Sequence, residues 1–225
     1  MKDFFANLHC SNNKYFLSKW QIICIGLGCY VVFIFLIDIC TKLYTVFGFE
    51  YRTVLRARSN MLIDWGNLWG TLFYLIIAPV IEETAWRLGI SFKKHHVAIS
   101  LGVTCMYIPR IFVGMRFLSP FSLSLIGLGL MIYCIIVRYT NDQFWIKIKK
   151  KYSKYIVWIL IIAFTMLHLH NYNAALAWEH FFAYILILSR SFFMAVTATY
   201  LRLNLGFFYA VIVHIACNSG IILRI

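Results

Sequence analysis

The sequence predicts an all-α fold, a polytopic transmembrane helical bundle of about seven spans, on three observations. Hydrophobic residues make up 62% of the 225 positions, aromatic residues 18% and charged residues only 13%. An ordinary soluble domain carries roughly 45–50% apolar and about 25% charged residues, and has too little interior for this composition. The apolar residues fall into runs, each near the roughly 20 residues that cross a bilayer about 30 Å thick as a helix, with short basic connectors between them. Barrel strands are excluded, because they would alternate apolar and polar residues over about ten positions, and these runs are longer and continuously apolar.

In chain order the expected spans are 21–39, 68–90, 97–118, 121–137, 155–169, 177–200 and 205–223. The first follows a polar, basic stretch, 1–19. No small-residue cleavage site comes after it, so it is expected to stay as a helix rather than leave as a signal peptide. No internal repeat, low-complexity tract or flexible linker divides the chain. A segment 1–67, with the first span and a connector, is expected to lead into a core, 68–225, within one integral domain. Residues 51–61 are expected to form either a short interfacial helix or a solvated loop.

The formal net charge is +13. In a soluble protein that would suggest nucleic acid, but the Lys and Arg residues sit between apolar runs rather than on one stripe, so no nucleic-acid partner is expected. The basic residues set topology and meet anionic lipid instead. With the amino terminus inside, thirteen of them lie on the inner side (Lys2, Lys14, Lys19, Arg87, Lys93, Lys94, Arg138, Lys147, Lys149, Lys150, Lys151, Lys154 and Arg202) and seven outside. Arg190 falls within a span. The asymmetry favours this orientation, although the segment from Lys42 to Arg58 argues against it; the expected location is the inner membrane of a prokaryote, as a multi-pass protein. The seven cysteines are scattered without CxxC pairs or metal-finger spacing and read as small core residues.

Ionisable side chains inside spans cost roughly 2.5–3.5 kcal/mol each on insertion scales, so each is a functional candidate. Glu82 and Glu83 are adjacent in Ala78-Pro79-Val80-Ile81-Glu82-Glu83-Thr84-Ala85-Trp86-Arg87. Neighbours on a helix point about 100° apart, so the two carboxylates are expected to face different partners. Glu83 and Arg87 stand four apart in the order that favours a helical ion pair. Glu82 has no such local partner and suits a general base in a polar site. A plain helix end at the membrane surface would also place both acids.

Phe164 and His168 share a helix face, as do His214 and Asn218. The second pair fits either a hydrogen bond to a neighbouring helix or two donors aimed at one oxygen, as an oxyanion hole needs. His170, Asn171 and Asn173 fit a cavity mouth or a polar loop. His95 and His96 read as a solvated connector, and Asp38 and Arg190 as interhelical or snorkelling contacts.

In order, Glu82-Glu83 with Arg87, Phe164 with His168, and His214 with Asn218 reproduce EExxxR, FxxxH and HxxxN. With these motifs the stretch from Leu68 to Ile225 resembles the CAAX-processing and bacteriocin-processing protease family. It departs after the arginine, where Leu88 precedes Gly89. The resemblance implies a bundle whose motifs meet in an intramembrane polar cavity and hydrolyse a peptide bond with a glutamate-activated water. By position, Glu82 would be the general base and His168 would hold the water. His214 and Asn218 would stabilise the oxyanion, while Glu83, Arg87 and Phe164 brace the site. No cofactor or metal is expected; the alternative is zinc on Glu82, His168 and His214, a His2Glu set, without an HExxH helix. The expected substrate is a peptide or protein in the membrane, such as a lipidated carboxyl terminus. Oligomeric state is left open. Competing readings are a non-enzymatic scaffold, regulator or bacteriocin-immunity protein of the same fold, or a small transporter with a proton relay.

Overall fold

The computed structural model describes residues 18–47, 71–113, 120–171 and 181–222. Among them every regular element is helical, and three helices are long and apolar enough to cross a membrane. The segment 51–61, Asn173 and the boundary at residue 67 lie outside the described residues. The α-helices run in order as α1 (Lys19–Val46), α2 (Ala78–Arg87), α3 (Lys94–Val113), α4 (Pro120–Tyr139), α5 (Asp142–Leu167), α6 (Phe181–Asn204) and α7 (Phe207–Ile222). The membrane-length helices are α1, α4 and α6, and α7 contributes a shorter apolar run, Phe207–Ser219.

Helix α1 starts where Ser18 accepts from the Gln21 amide while the Gln21 side chain accepts from the Ser18 amide, a capping box that satisfies two orphan donors. The stretch expected as one span over 68–90 is composite. A π-turn, Phe73–Ile77, precedes α2, and a 3-10 turn, Leu88–Ser91, follows it. Pro79 sits in the first turn of α2, where its missing N–H is least costly to the helix it begins.

The span expected over 155–169 begins thirteen residues earlier, at Asp142. The lysine run read as a connector is therefore helical. Asn141 caps it by accepting from the Phe144 amide at 2.8 Å, and Asp142 lies in the first turn, where a negative charge favours the helix.

The core joins α1, α2, α5, α6 and α7 through Ile22, Trp86, Ile161, Phe164, Met194, Leu201 and Val213. Ala195 and Ala198 on α6 are wholly buried and small, which lets neighbouring backbones approach. Helices α3 and α4 meet backbone to backbone. A Cβ on Gly102 would lie 2.8 Å from the Gly129 carbonyl oxygen, and one on Gly129 would lie 2.7 Å from that of Gly102. Gly102→Ala is thus expected to force the helices apart at a cost of about 1–3 kcal/mol. Thermal unfolding in detergent should show a melting temperature several degrees lower; an unchanged one would contradict this crossing.

Candidate active site

The three motifs come from α2, from α5 with the turn after it, and from α7; the fold brings Glu82, Glu83, Arg87, Phe164, His168 and His214 into one set of contacts, while Asn218 bonds the backbone beside them. Glu83 and Arg87 pair one turn apart on α2, as their spacing predicts, with side chains 0% and 2% exposed. Burying a guanidinium requires that its donors be satisfied. Arg87 Nε donates to Thr199 Oγ1 at 3.2 Å and Nη2 to the Ala195 carbonyl at 3.5 Å, both on α6. Its planar face lies 4.6 Å from the centre of the Phe164 ring. The Phe164 ring in turn meets the edge of His214, 5.9 Å between centres, and lies 4.4 Å from His168. The phenylalanine is a buried hub under the charged groups rather than a lipid-facing side chain.

His214 corrects the expectation that the adjacent carboxylates face different partners. Its Nδ1 lies 2.8 Å from Glu83 Oε1 and its Nε2 lies 3.5 Å from Glu82 Oε2. The argument from helical angles holds for a partner that offers one atom. An imidazole offers nitrogens on two sides, and a ring inserted from a crossing helix reaches both acids. An ionised carboxylate only accepts, so Nδ1 carries the proton toward Glu83. The contact to Glu82 is the longer of the two and within ion-pair range.

Glu82 is the more open acid, 15% exposed against 0% for Glu83. The residue that sequence reasoning missed is Tyr107 on α3, whose hydroxyl donates to Glu82 Oε1 at 2.7 Å. Nothing in a single tyrosine of an apolar run marks it; it lies 25 positions from its acceptor, and only the α2–α3 packing brings the two together. Ser100 and Thr104, one turn apart on the same helix, both donate to the Ala85 carbonyl, at 2.6 and 3.1 Å. Arg202 donates to the Arg87 and Leu88 carbonyls at 3.2 and 3.4 Å. These four donors satisfy carbonyls released where α2 tightens into the 3-10 turn. They hold the strand of backbone that carries the acid pair.

Asn218 is tied to the Tyr74 carbonyl, to which its Nδ2 donates at 3.3 Å. The π-turn explains why that carbonyl accepts a side chain. The Ala78 amide bonds Phe73 O, one residue further back than in an α-helix, and the next amide position is Pro79, which has no N–H. Asn218 supplies the missing donor and keeps a second N–H on the same nitrogen. His168 joins through Phe164: its Nδ1–H donates to the Phe164 carbonyl at 2.9 Å, which makes Nε2 the acceptor of the neutral ring.

A zinc site was the alternative for Glu82, His168 and His214. Among the described residues no three His, Cys, Asp or Glu side chains come together as a metal-holding group. Glu82 and His214 approach each other, and His168 does not join them in such a group.

Away from the site, Asp38 on α1 and Arg190 on α6 form an ion pair, which answers the expectation of an interhelical contact for both. His95 and His96, expected in a solvated connector, instead belong to the first turn of α3: His96 Nδ1 lies 2.8 Å from Ser91 Oγ and His95 Nδ1 lies 3.2 Å from Tyr133 Oη.

Comparisons with family models, with curated proteins and with solved structures find no match for this chain.

Proposed function

We propose that the chain is a multi-pass integral membrane protein whose roughly seven helical spans enclose a polar cavity. Within that class, its particular activity is intramembrane peptide-bond hydrolysis of the CAAX-processing and bacteriocin-processing type. The observation that carries this reading is the His214 ring, brought from α7 to lie between Glu82 and Glu83 of α2, with Phe164 of α5 against it and His168, just past the end of α5, against that phenylalanine. A scaffold gains nothing from two carboxylates, two imidazoles and an arginine gathered among apolar helices at a cost of several kcal/mol.

In this mechanism Glu82 takes a proton from a water that attacks the scissile carbonyl carbon, and His168 Nε2 accepts a hydrogen bond from the O–H that the water keeps. Tyr107 fixes the carboxylate rotamer, so that one oxygen faces the water. The carbonyl oxygen becomes an oxyanion, which the second N–H of Asn218 and the His214 ring, acting with a proton on each nitrogen, stabilise. Glu82 then gives its proton to the leaving amine and the C–N bond breaks. Glu83 and Arg87 do not react; they hold the His214 ring in place through its Nδ1–H. A carboxylate base and preorganised donors in a site of low dielectric supply what amide hydrolysis requires.

The test uses the purified chain in phospholipid vesicles with quenched fluorescent peptides, with and without an S-farnesyl cysteine near the carboxyl terminus. Cleavage is expected to need Glu82 and to persist after exhaustive chelation. Loss of cleavage on chelation, restored by zinc, would point to the metal-bound alternative. Absence of cleavage across the peptide set, together with a cellular phenotype rescued by the Glu82→Gln, His168→Ala double variant, would favour the non-enzymatic scaffold.

A further inference from the structure

We infer that the amino-terminal half of α5 is a binding surface for the headgroups of anionic phospholipids. The inference rests on the membrane embedding proposed above and is independent of the protease chemistry.

Helix α5 has two chemically different halves. From Tyr155 to Leu167 it carries no charged residue, whereas Lys147, Lys149, Lys150, Lys151 and Lys154 crowd the half before it. Four of these, Lys147, Lys150, Lys151 and Lys154, are exposed and follow one another at spacings of three, one and three, so they form a single stripe. A second stripe runs beside it at spacings of four and three: Phe144, Ile148, Tyr152, Tyr155, Ile159, Ile162 and Met166. All of these except half-buried Ile148 are exposed. That apolar stripe continues unbroken from the lysine-bearing half into the charge-free half. A stripe of this kind lies against lipid, and its tyrosines, Tyr152 and Tyr155, fall where the lysines stop, as aromatic residues do at the membrane surface.

The connection from α4 places the same half at the same depth. Helix α4 is long enough to span and ends at exposed Arg138 and Tyr139; only Thr140 and Asn141 separate it from α5. Trp145 Nε1 donates to Thr140 Oγ1 at 2.9 Å and closes that turn. The amide of Lys94 donates to Asp142 Oδ1 at 3.0 Å, which adds the start of α3, with exposed Lys93, to this end of the molecule. Six exposed cations thus gather at one end of the bundle. Asp142 is the one acid beside them among the described residues; Asp38 pairs with Arg190, and Glu82 and Glu83 belong to the site. Cations flanking a lipid-facing stripe at headgroup depth match phosphate-bearing lipid in both charge and position. A soluble acidic partner would match the charge alone.

The full chain reconstituted in phosphatidylcholine bilayers, with spin-labelled phosphatidylglycerol or phosphatidylcholine as probes, tests this. Electron spin resonance is expected to show a preference for phosphatidylglycerol of about fivefold, the contribution of one well-placed lysine, lost in high salt. The quadruple Lys147→Gln, Lys150→Gln, Lys151→Gln, Lys154→Gln variant should bind both lipids alike, and the corresponding quadruple Arg variant should keep the preference. Equal binding by the wild type, or a preference that survives in the Gln variant, would overturn the inference. So would retention of a poly-glutamate peptide or single-stranded DNA on pure phosphatidylcholine vesicles, lost in the Gln variant without any lipid preference, which would assign the stripe to a macromolecule. Failure of the chain to float with vesicles at all would instead overturn the membrane reading beneath it.

Discussion

Arg87→Ala is expected to destabilise the protein by about 3–5 kcal/mol, the largest effect of any single substitution outside the apolar core. The guanidinium is buried, and its removal strands a wholly buried Glu83 carboxylate, two acceptors on α6 and the face of the Phe164 ring. Leaving one charge of a buried pair uncompensated costs far more than the pair contributes. Arg87→Lys keeps the charge but offers a point donor on a different stem, which does not reach Thr199, Ala195 and Glu83 together, so a loss of intermediate size is expected. Thermal unfolding in detergent measures both. The double variant Glu83→Gln, Arg87→Met should melt above Arg87→Ala, because it removes the stranded charge with its partner. Additive losses in that cycle would mean that the two side chains are not coupled.

Glu82→Gln is expected to lower the rate of peptide cleavage by about 10³-fold or more while leaving the melting temperature within about a degree, since a positioned general base contributes typically 10²–10⁴-fold. Glutamine matches the shape and still accepts from the Tyr107 hydroxyl, so the contact at 2.7 Å survives, while the basicity and the charge facing His214 are lost. Tyr107→Phe provides the graded comparison. It removes one hydrogen bond to a charged group, so about a tenfold fall in kcat is expected, with KM little changed, because the tyrosine positions the base rather than the peptide. A Glu82→Gln protein that cuts at the wild-type rate would end the proposed mechanism. A Tyr107→Phe protein at full rate beside an inactive Glu82→Gln would remove only the positioning role.

Features carried by a single helix were legible along the chain. The apolar runs announced the helices, because burial in lipid and a 3.6-residue period leave a mark in composition and spacing. The four-residue steps of Glu83 to Arg87, Phe164 to His168 and His214 to Asn218 placed each pair on one face before any packing was known. The same periodicity misled where two helices meet. It assigned Glu82 and Glu83 separate partners, yet one imidazole from α7 reaches both. It also ended the fifth span at the lysines, although a capped helix continues through them to Asp142.

By itself the sequence determined the helical character of the chain and a short set of polar residues with no business in an apolar interior; of the seven spans it led one to expect, three helices among the described residues have membrane length and apolarity. Tertiary structure alone decided that Tyr107 holds Glu82, that Asn218 answers the carbonyl exposed ahead of Pro79, and that Phe164 underlies both Arg87 and the histidines. The reason is geometric. Contacts within one helix follow from a fixed rise and rotation, whereas contacts between helices depend on crossing angle, depth and the rotation of each about its own axis, which side-chain packing sets only as the bundle closes.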